Sequence, residues 1–223
     1  MSVVFKTFMP ELIESMPIIK AGRHRYKWYE EALEELRNES HPGGYTAKCP
    51  GIISVNSTGW IQRAYQDITI QTNGDTYSFG WQCDLDQSKT VHGDVISNYI
   101  DWHGPQQYWR YKQESYDPNI LKSLIKINSP WVVDIPEGYT LLCMPIPYND
   151  DDRFAAACGI LRGKSWLNIQ LFWKCLDSTE TIKAGTPLVQ YVLVKDNDVE
   201  FTMELATKED AGFFTETKDK YVR

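Results

Sequence analysis

Residues 131–149 read WVVDIPEGYTLLCMPIPYN, and residues 166–195 read WLNIQLFWKCLDSTETIKAGTPLVQYVLVK. Their apolar residues are often β-branched or aromatic and come in short runs between turn residues, which is typical of β-strands. From Trp166 to Trp173 apolar and polar residues partly alternate, so this segment is predicted to be one strand with a single buried face. The apolar members of that alternation are Leu167, Ile169, Leu171 and Trp173.

Two turns that contain Pro and Gly divide this region, at Pro136–Gly138 and at Lys183–Pro187. Pro presets φ at the first central position of a turn, and Gly supplies a positive φ where one is needed. Strands are predicted on either side, at Trp131–Asp134, Tyr139–Met144 and Leu188–Val194. In the last of these strands the side chains of both faces are apolar apart from one Gln, which indicates a strand covered on both sides. Short strands joined by tight turns favour a mainly β fold, a single β-clip or jelly-roll-like domain.

The N-terminal region has a different pattern. Residues 23–38, RHRYKWYEEALEELRN, are rich in good helix formers and place Tyr29, Ala32, Leu33 and Leu36 at helical spacing. We predict an N-terminal amphipathic helix that ends at the breaker cluster of residues 38–44. Its apolar stripe would pack on the sheets or, alternatively, contact a partner or a second copy.

The domain boundaries follow from these patterns. Residues 1–44 are predicted to be a helical segment packed on the main domain, residues 45–206 a β-rich domain, and residues 207–223 a polar C-terminal tail. Within the β-rich domain, residues 67–81 (DITIQTNGDTYSFGW) predict a hairpin with a two-residue turn at Asn73-Gly74. A short strand is predicted at Ile52–Val55, a short helix within Asp117–Ile127, and a last edge strand within residues 199–206.

Composition narrows the class of protein. The 223 residues are 42% hydrophobic and 13% aromatic, as expected for a folded globule, and part of the aromatic excess could line a cavity or an interface. A formal net charge of −7 gives no basic footprint for duplex nucleic acid. The sequence contains no run of about 18 apolar residues, so no membrane span is predicted.

The five Cys are odd in number and widely spaced, which predicts reduced structural thiols in a cytoplasmic protein.

Residues 129–150 (SPWVVDIPEGYTLLCMPIPYND) and 182–194 (IKAGTPLVQYVLV) carry a resemblance to a family. The shared features are Pro130-Trp131, the turn Pro136–Tyr139 and the closing segment Gly185–Gln190. They resemble an uncharacterised family of small β-rich proteins of tailed bacteriophages and bacteria. The resemblance covers less than a third of the chain. It implies a phage or bacterial origin and supplies no activity.

The same region is similar to the dUTPase-like clip fold, through Ile135–Tyr139, Lys183–Gln190 and the intervening GILRGKSWLNIQLFW. The catalytic segments of that fold are not present here. Pro145–Tyr148 stands where an Arg-Ser-Gly phosphate segment would follow the first strand, and Arg162 stands where an Asp would follow Gly-Ile-Leu. The similarity therefore supports the fold and argues against dUTP hydrolysis.

Residues 91–107 hold the densest set of chemically active side chains. His92 and Asp94 match the first two ligands of a facial-triad metal site, and His103 is the downstream candidate for the third. The cofactor of such a site would be a divalent transition metal. The alternative is a His in a polar turn, since short motif matches arise often by chance.

Another candidate metal site is the run Asp150-Asp151-Asp152, whose carboxylates could bind calcium. It lacks the spacing of a dedicated calcium loop, which favours a solvated loop. The aromatic residues Trp102, Tyr108 and Trp109 are the candidate ligand contacts.

Three functions remain open from the sequence. The aromatic excess and the lack of a coherent catalytic set favour a non-enzymatic protein that binds a ligand or a protein partner, with a homo-oligomer as one form of that partner. The second is a metal-dependent enzyme on a cupin-like or clip-like scaffold, using the three predicted metal ligands. The third is a structural component of a virion.

Overall fold

A computed structural model describes residues 2–38, 45–83, 99–108, 119–196 and 202–213. Its strands are β1 (Val4–Thr7), β2 (Ile19–Lys20), β3 (Trp60–Arg63), β4 (Ile68–Thr72), β5 (Phe79–Gln82), β6 (Ile100–His103), β7 (Leu124–Ile127), β8 (Trp131–Asp134), β9 (Tyr139–Met144), β10 (Phe154–Ala156), β11 (Gly159–Leu161), β12 (Lys164–Trp166), β13 (Ile169–Trp173), β14 (Thr179–Ile182) and β15 (Pro187–Lys195). Its helices are α1 (Leu12–Ser15), a 3₁₀ turn (Ala21–Arg23), α2 (Lys27–Arg37), α3 (Tyr45–Lys48), α4 (Pro50–Ser57) and α5 (Pro105–Tyr108).

The described strands form four antiparallel sheets, so the prediction of a mainly β fold is confirmed. Their strand orders are β1-β8-β12, β10-β13-β7-β6, β11-β9-β15-β3-β2 and β14-β4-β5. Two strands from the first 44 residues, β1 and β2, join the first and the third of these sheets. The N-terminal region therefore contributes to the sheets as well as supplying α2.

The central pair of the five-stranded sheet is β9 and β15, paired from Gln190 opposite Met144 to Lys195 opposite Tyr139. Both strands follow the turns expected from the sequence, and Gly138 and Gly185 have φ angles of 77° and 91°. Only Gly reaches such angles without strain, which explains why these turns need it. The predicted strands at Tyr139–Met144 and Leu188–Val194 are confirmed.

One hydrophobic core joins the four sheets. Its fully buried members include Leu141, Leu167, Ile169, Leu171, Trp173, Val189 and Tyr191. Leu188 to Tyr191 are all buried, so this part of β15 is covered on both faces as predicted. Leu193, also expected in the core, is only half-buried because β15 runs out towards solvent at its end.

The segment Trp166–Trp173 is two strands and not the single strand predicted. Trp166 pairs with Val132 in one sheet, and Ile169 pairs with Ile127 in another. The chain changes sheets at Leu167 and Asn168. Every second side chain stays buried across the interruption, and these are Leu167, Ile169, Leu171 and Trp173. The predicted inward face is therefore confirmed although the strand is interrupted.

Two segments have the opposite secondary structure to the prediction. The expected strand at Ile52–Val55 lies in helix α4, because Pro50 stands at its start, where a fixed φ suits a helix. The expected helix within Asp117–Ile127 is wrong where it is described, since Leu124–Ile127 is strand β7 between β6 and β13. An apolar run of this length fits either a buried strand or a buried helix, and its neighbours decide.

The hairpin of β4 and β5 is present with a longer connection than predicted. Thr72 lies opposite Phe79, so residues 73–78 form the loop and not Asn73-Gly74 alone. Asp75 lengthens the turn by accepting hydrogen bonds from the backbone N–H groups of Tyr77 and Ser78 at 2.7 and 2.6 Å. Residues 202–206 are exposed and not in a strand, so that part of the predicted last strand is wrong.

Helix α2 begins at Lys27, four residues after the start of the stretch in which it was predicted, and ends at Arg37, before the breaker cluster. Its partly buried side carries the predicted stripe, but none of its residues is fully buried. Trp28 and Tyr29 pack against a small second core of Ala21, Tyr26, Ile61 and Ile146. Among the described helices none has both the length and the apolar character needed to cross a bilayer.

Candidate ligand-binding surface

Two tryptophans from different sheets meet at the molecular surface. Trp81 lies on β5 opposite Ile70, and Trp102 lies on β6 opposite Ile125. Their ring centroids are 5.8 Å apart and the ring planes are tilted by 48°. Phe79 extends the contact, with its ring centroid 5.5 Å from that of Trp81. We call Phe79, Trp81 and Trp102 the aromatic surface.

The aromatic surface is an opening of the hydrophobic core. Side chains opposite each other in an antiparallel pair lie on the same face of the sheet, so both tryptophans are on the side that holds Ile70 and Ile125. Both isoleucines are fully buried, whereas Trp81 is 40% and Trp102 52% exposed. The core-facing sides of two sheets therefore reach solvent at this point.

Charged groups lie beside β5 and on the opposite face of β6 and β7. Asp101 and Lys126 form an ion pair on the opposite face of β6 and β7, with a carboxylate oxygen 3.6 Å from the Lys Nζ. Next to β5, the Nζ atom of Lys122 lies 4.4 Å from the ring centroid of Tyr77 and donates a hydrogen bond to the Tyr77 hydroxyl at 2.8 Å. The ion pair keeps the opposite face of β6 and β7 polar, whereas the face that carries Trp102 is apolar.

His103, predicted as a metal ligand, lies beside Trp102 in sequence and on the other face of β6. Its Nδ1 is 3.2 Å from Gln107 Oε1, and its Nε2 is 3.2 Å from the Gln170 side-chain amide nitrogen. One neutral tautomer satisfies both contacts, with Nδ1–H donating to Gln107 and Nε2 accepting from Gln170. Binding a metal through Nε2 would require the Gln170 hydrogen bond to break.

The other predicted site residues lie partly or wholly outside the described residues. Three of them, His92, Asp94 and Trp109, lie wholly outside the described residues. Tyr108 is the last residue of α5, and only its backbone is described. The convergence of His92, Asp94 and His103 therefore stays a prediction. Within the described residues, no group of three His, Cys, Asp or Glu side chains is arranged to hold a metal ion.

Two carboxylates of the acidic run have structural partners. Asp150 accepts hydrogen bonds from the backbone N–H groups of Lys27 and Trp28, at 2.8 and 3.1 Å. Asp151 accepts two side-chain hydrogen bonds from Arg153, at 2.9 and 2.8 Å, and Arg153 also donates to Glu180 at 3.1 Å. These contacts hold α2 and β14 next to the loop after β9, so Asp150 and Asp151 have a structural role, and the calcium site considered from the sequence stays a hypothesis.

Two of the cysteines, Cys143 and Cys175, are poor nucleophiles because of burial. All five are free thiols, as predicted. Burial raises the pKa of Cys143 to about 12, with Cys158 adding a smaller effect in the same direction. Burial also raises the pKa of Cys175. Such thiols stay protonated at neutral pH, and the thiolate is the reactive form.

The sequence pointed to Trp102 but not to its partner Trp81. A usable signal existed, because the predicted hairpin places Phe79 and Trp81 on one face of β5. What the pattern could not supply is that this strand ends beside β6, which belongs to another sheet.

The chain was compared with known protein families and with curated proteins. No family model matches it, and no curated protein matches it with significant similarity.

Proposed function

We propose that this protein is a non-enzymatic binding protein that holds a protein partner through its aromatic surface. The observation that carries this proposal is the exposure of Trp81 and Trp102 on the core-facing sides of their sheets, 5.8 Å apart. Leaving apolar area in water costs about 25 cal/mol per Å², so a partner that covers these rings gains affinity. Tryptophan is also enriched among the residues that dominate binding energy at protein interfaces.

The polar side chains on the opposite face of β6 already have partners. Both ring nitrogens of His103 lie within hydrogen-bond distance of glutamine side chains. Asp101 is paired with Lys126. Their contacts do not favour a catalytic role, because a general acid or base needs to exchange its proton with a substrate.

The test is selection of binding peptides from a random-peptide library, followed by calorimetric titration of the best binders. We expect Trp102→Ala and Trp81→Ala each to weaken binding by at least about tenfold, the effect typical of an interface hot spot. Phe213→Ala is the matched control, since Phe213 is an exposed aromatic residue (72%) outside the aromatic surface. Circular dichroism of each variant checks that the fold is retained.

Two results would refute the proposal. Selected peptides that bind the Trp81→Ala/Trp102→Ala double variant as tightly as the wild type would place binding elsewhere. Turnover of a small metabolite by the purified protein would contradict its non-enzymatic character.

We propose further that the protein is of phage or bacterial origin, acts in the cytoplasm and folds as a clip-like or jelly-roll-like domain. The support is the resemblance carried by Pro130-Trp131, Pro136–Tyr139 and Gly185–Gln190. Two of these segments lead directly into β9 and β15, which are neighbours in the five-stranded sheet. A motif that supplies the central strands of a sheet is a reasonable marker of its fold.

A further inference from the structure

Residues 202–206, which we call the C-terminal segment, read TMELA and expose their apolar side chains almost completely. All five residues are exposed and lie in no helix or strand. Met203 is 89% and Leu205 96% exposed. These two residues alternate with the polar Thr202 and Glu204, and such alternation is the pattern of a strand with one buried face. The C-terminal segment therefore has the pattern of a strand, although it joins none of the described sheets.

Strand β5 has an open edge beside the aromatic surface. It is the last strand of its sheet, and no described strand pairs with its other side. The backbone N–H of Thr72 on β4 donates to the carbonyl of Ser178, on the side of β14 and away from β5. Phe79 lies opposite Thr72, so the two form a pair whose backbone groups point away from each other. The N–H and C=O groups of Phe79, and those of Trp81 two residues further on, therefore point to the open edge of β5.

The apolar residues of the C-terminal segment match this edge in one antiparallel register. With Met203 opposite Trp81, Leu205 lies opposite Phe79. Opposite residues of an antiparallel pair share one face of the sheet, so both apolar side chains would lie on the face of the aromatic surface. A slip by one residue would turn Met203 and Leu205 to the other face, which fixes the register.

The polar residues of the C-terminal segment fit the same register. Glu204 falls opposite Gly80, and the space beside Gly80 is open because a Cβ atom there would have no neighbour within 4 Å. Thr202 falls opposite Gln82, which is an exposed polar residue. The polar side chains thus stay on the solvent face while the apolar ones face the aromatic rings.

We propose that the C-terminal segment of a second copy of this chain adds to β5 as an antiparallel strand and covers the aromatic surface. This inference rests on the proposed function and names the partner of that surface. The segment comes from another copy because within one chain Met203, Leu205, Trp81 and Trp102 all stay exposed. Two copies that exchange their segments form a closed twofold dimer. Main-chain hydrogen bonds supply affinity in such strand addition, and every second side chain supplies specificity.

The test is sedimentation equilibrium of the full chain between about 10 µM and 1 mM. We expect a weak dimer with a Kd of about 0.1 mM, because a short strand and a few side chains form an interface at the small end of the usual range. Leu205→Asp should weaken the dimer at least about tenfold, since it places a charge against apolar rings. Thr202→Asp puts the same charge on the other face of the segment, so it is the matched control and should leave the Kd unchanged.

Two further measurements identify the surface that receives the segment. Trp81→Ala should weaken the dimer at least about tenfold, whereas Tyr148→Ala, at an exposed aromatic residue outside the aromatic surface, should not. In a mixture of ¹³C-labelled and unlabelled chains at about 1 mM, isotope-filtered NMR should show a contact between the Met203 methyl group of one copy and the Trp81 ring of another. Circular dichroism checks that each variant keeps the fold.

Three results would overturn the inference. They are a wild-type chain that is monomeric at about 1 mM, a dimer that Leu205→Asp does not weaken, and a dimer that Leu205→Asp weakens but Trp81→Ala does not. A monomeric wild type whose aromatic surface still binds library peptides would overturn this inference alone and leave the proposed function standing. Library peptides that bind the Trp81→Ala/Trp102→Ala variant as tightly as the wild type would instead refute the proposed function.

Discussion

The contact between Asp150 and helix α2 offers a sharp test of the structure. The two carboxylate oxygens of Asp150 accept hydrogen bonds from the first backbone N–H groups of the helix, those of Lys27 and Trp28. Tyr26, at the N-cap position, makes no side-chain capping bond. A residue more than a hundred positions away thus caps this helix, and Asp150→Ala removes the cap.

The expected cost follows from known capping energies. Loss of an N-cap side chain lowers stability by about 0.5–2 kcal/mol, and a negative charge at a helix N-terminus contributes about 0.3–1 kcal/mol. Because Asp150 is exposed and screened by solvent, we expect Asp150→Ala to lower the free energy of unfolding by about 1–2 kcal/mol. Asp150→Asn keeps one acceptor and should cost about half as much. The loop should stay in place, because the indole N–H of Trp28 donates to the Tyr148 carbonyl at 2.7 Å.

The assay is urea unfolding monitored by circular dichroism, with amide hydrogen exchange of α2 as a local readout. The matched control is Asp152→Ala, which removes an exposed carboxylate from the same loop and should change the free energy of unfolding by less than about 0.5 kcal/mol. Equal effects of Asp150→Ala and Asp152→Ala, or unchanged exchange in α2, would show that the capping argument is wrong.

Three further predictions concern the core, the Asp151–Arg153 pair and the metal ligands. Leu171→Ala should lower the free energy of unfolding by about 2–5 kcal/mol because the side chain is fully buried; Leu205→Ala, at a site 96% exposed, should change it by less than about 0.5 kcal/mol in the same denaturation assay. Burial alone would raise the pKa of Asp151, but hydrogen bonds from Arg153 outweigh it and hold the pKa below its usual 3.8. The stabilisation from this pair is therefore present above pH 3.8 and lost as the pH falls through the lower folded pKa. Asp151→Asn should be less stable than wild type at pH 7 and converge with it in acid, and a constant difference down to about pH 2 would contradict this. Metal analysis of untagged protein tests the predicted site that includes His103, and less than about a tenth of an equivalent of iron, manganese or zinc would exclude it.

Much of the fold could be predicted because it rests on short-range patterns. The alternation around Leu171 marks a buried face whichever sheet the strand joins, because side-chain direction depends only on the extended backbone. Gly138 and Gly185 mark turns because few other residues tolerate their φ angles. The end of α2 follows from the breakers that come after it, and its partly buried side follows from the spacing of its apolar residues.

Other elements could not be predicted without knowing which strands or helices lie beside them. Leu124–Ile127 is a strand because β6 and β13 lie on either side of it, and no feature of four apolar-rich residues selects a strand over a helix. Ile52–Val55 has strand-forming composition but lies in α4, where Pro50 begins the helix. Tertiary context overrides β propensity in such short segments because the propensity differences span only about 1 kcal/mol.

The same distinction between local sequence and tertiary packing applies to the candidate sites. The sequence by itself determined that Trp102 belongs to an aromatic segment and that Trp81 shares a face with Phe79. Only the tertiary structure decided that these residues meet and that Asp150 caps a helix more than a hundred positions away in the chain. The physical reason is that a local pattern sets the direction of a side chain relative to its own strand or helix, whereas contacts between distant segments depend on how the sheets and helices pack.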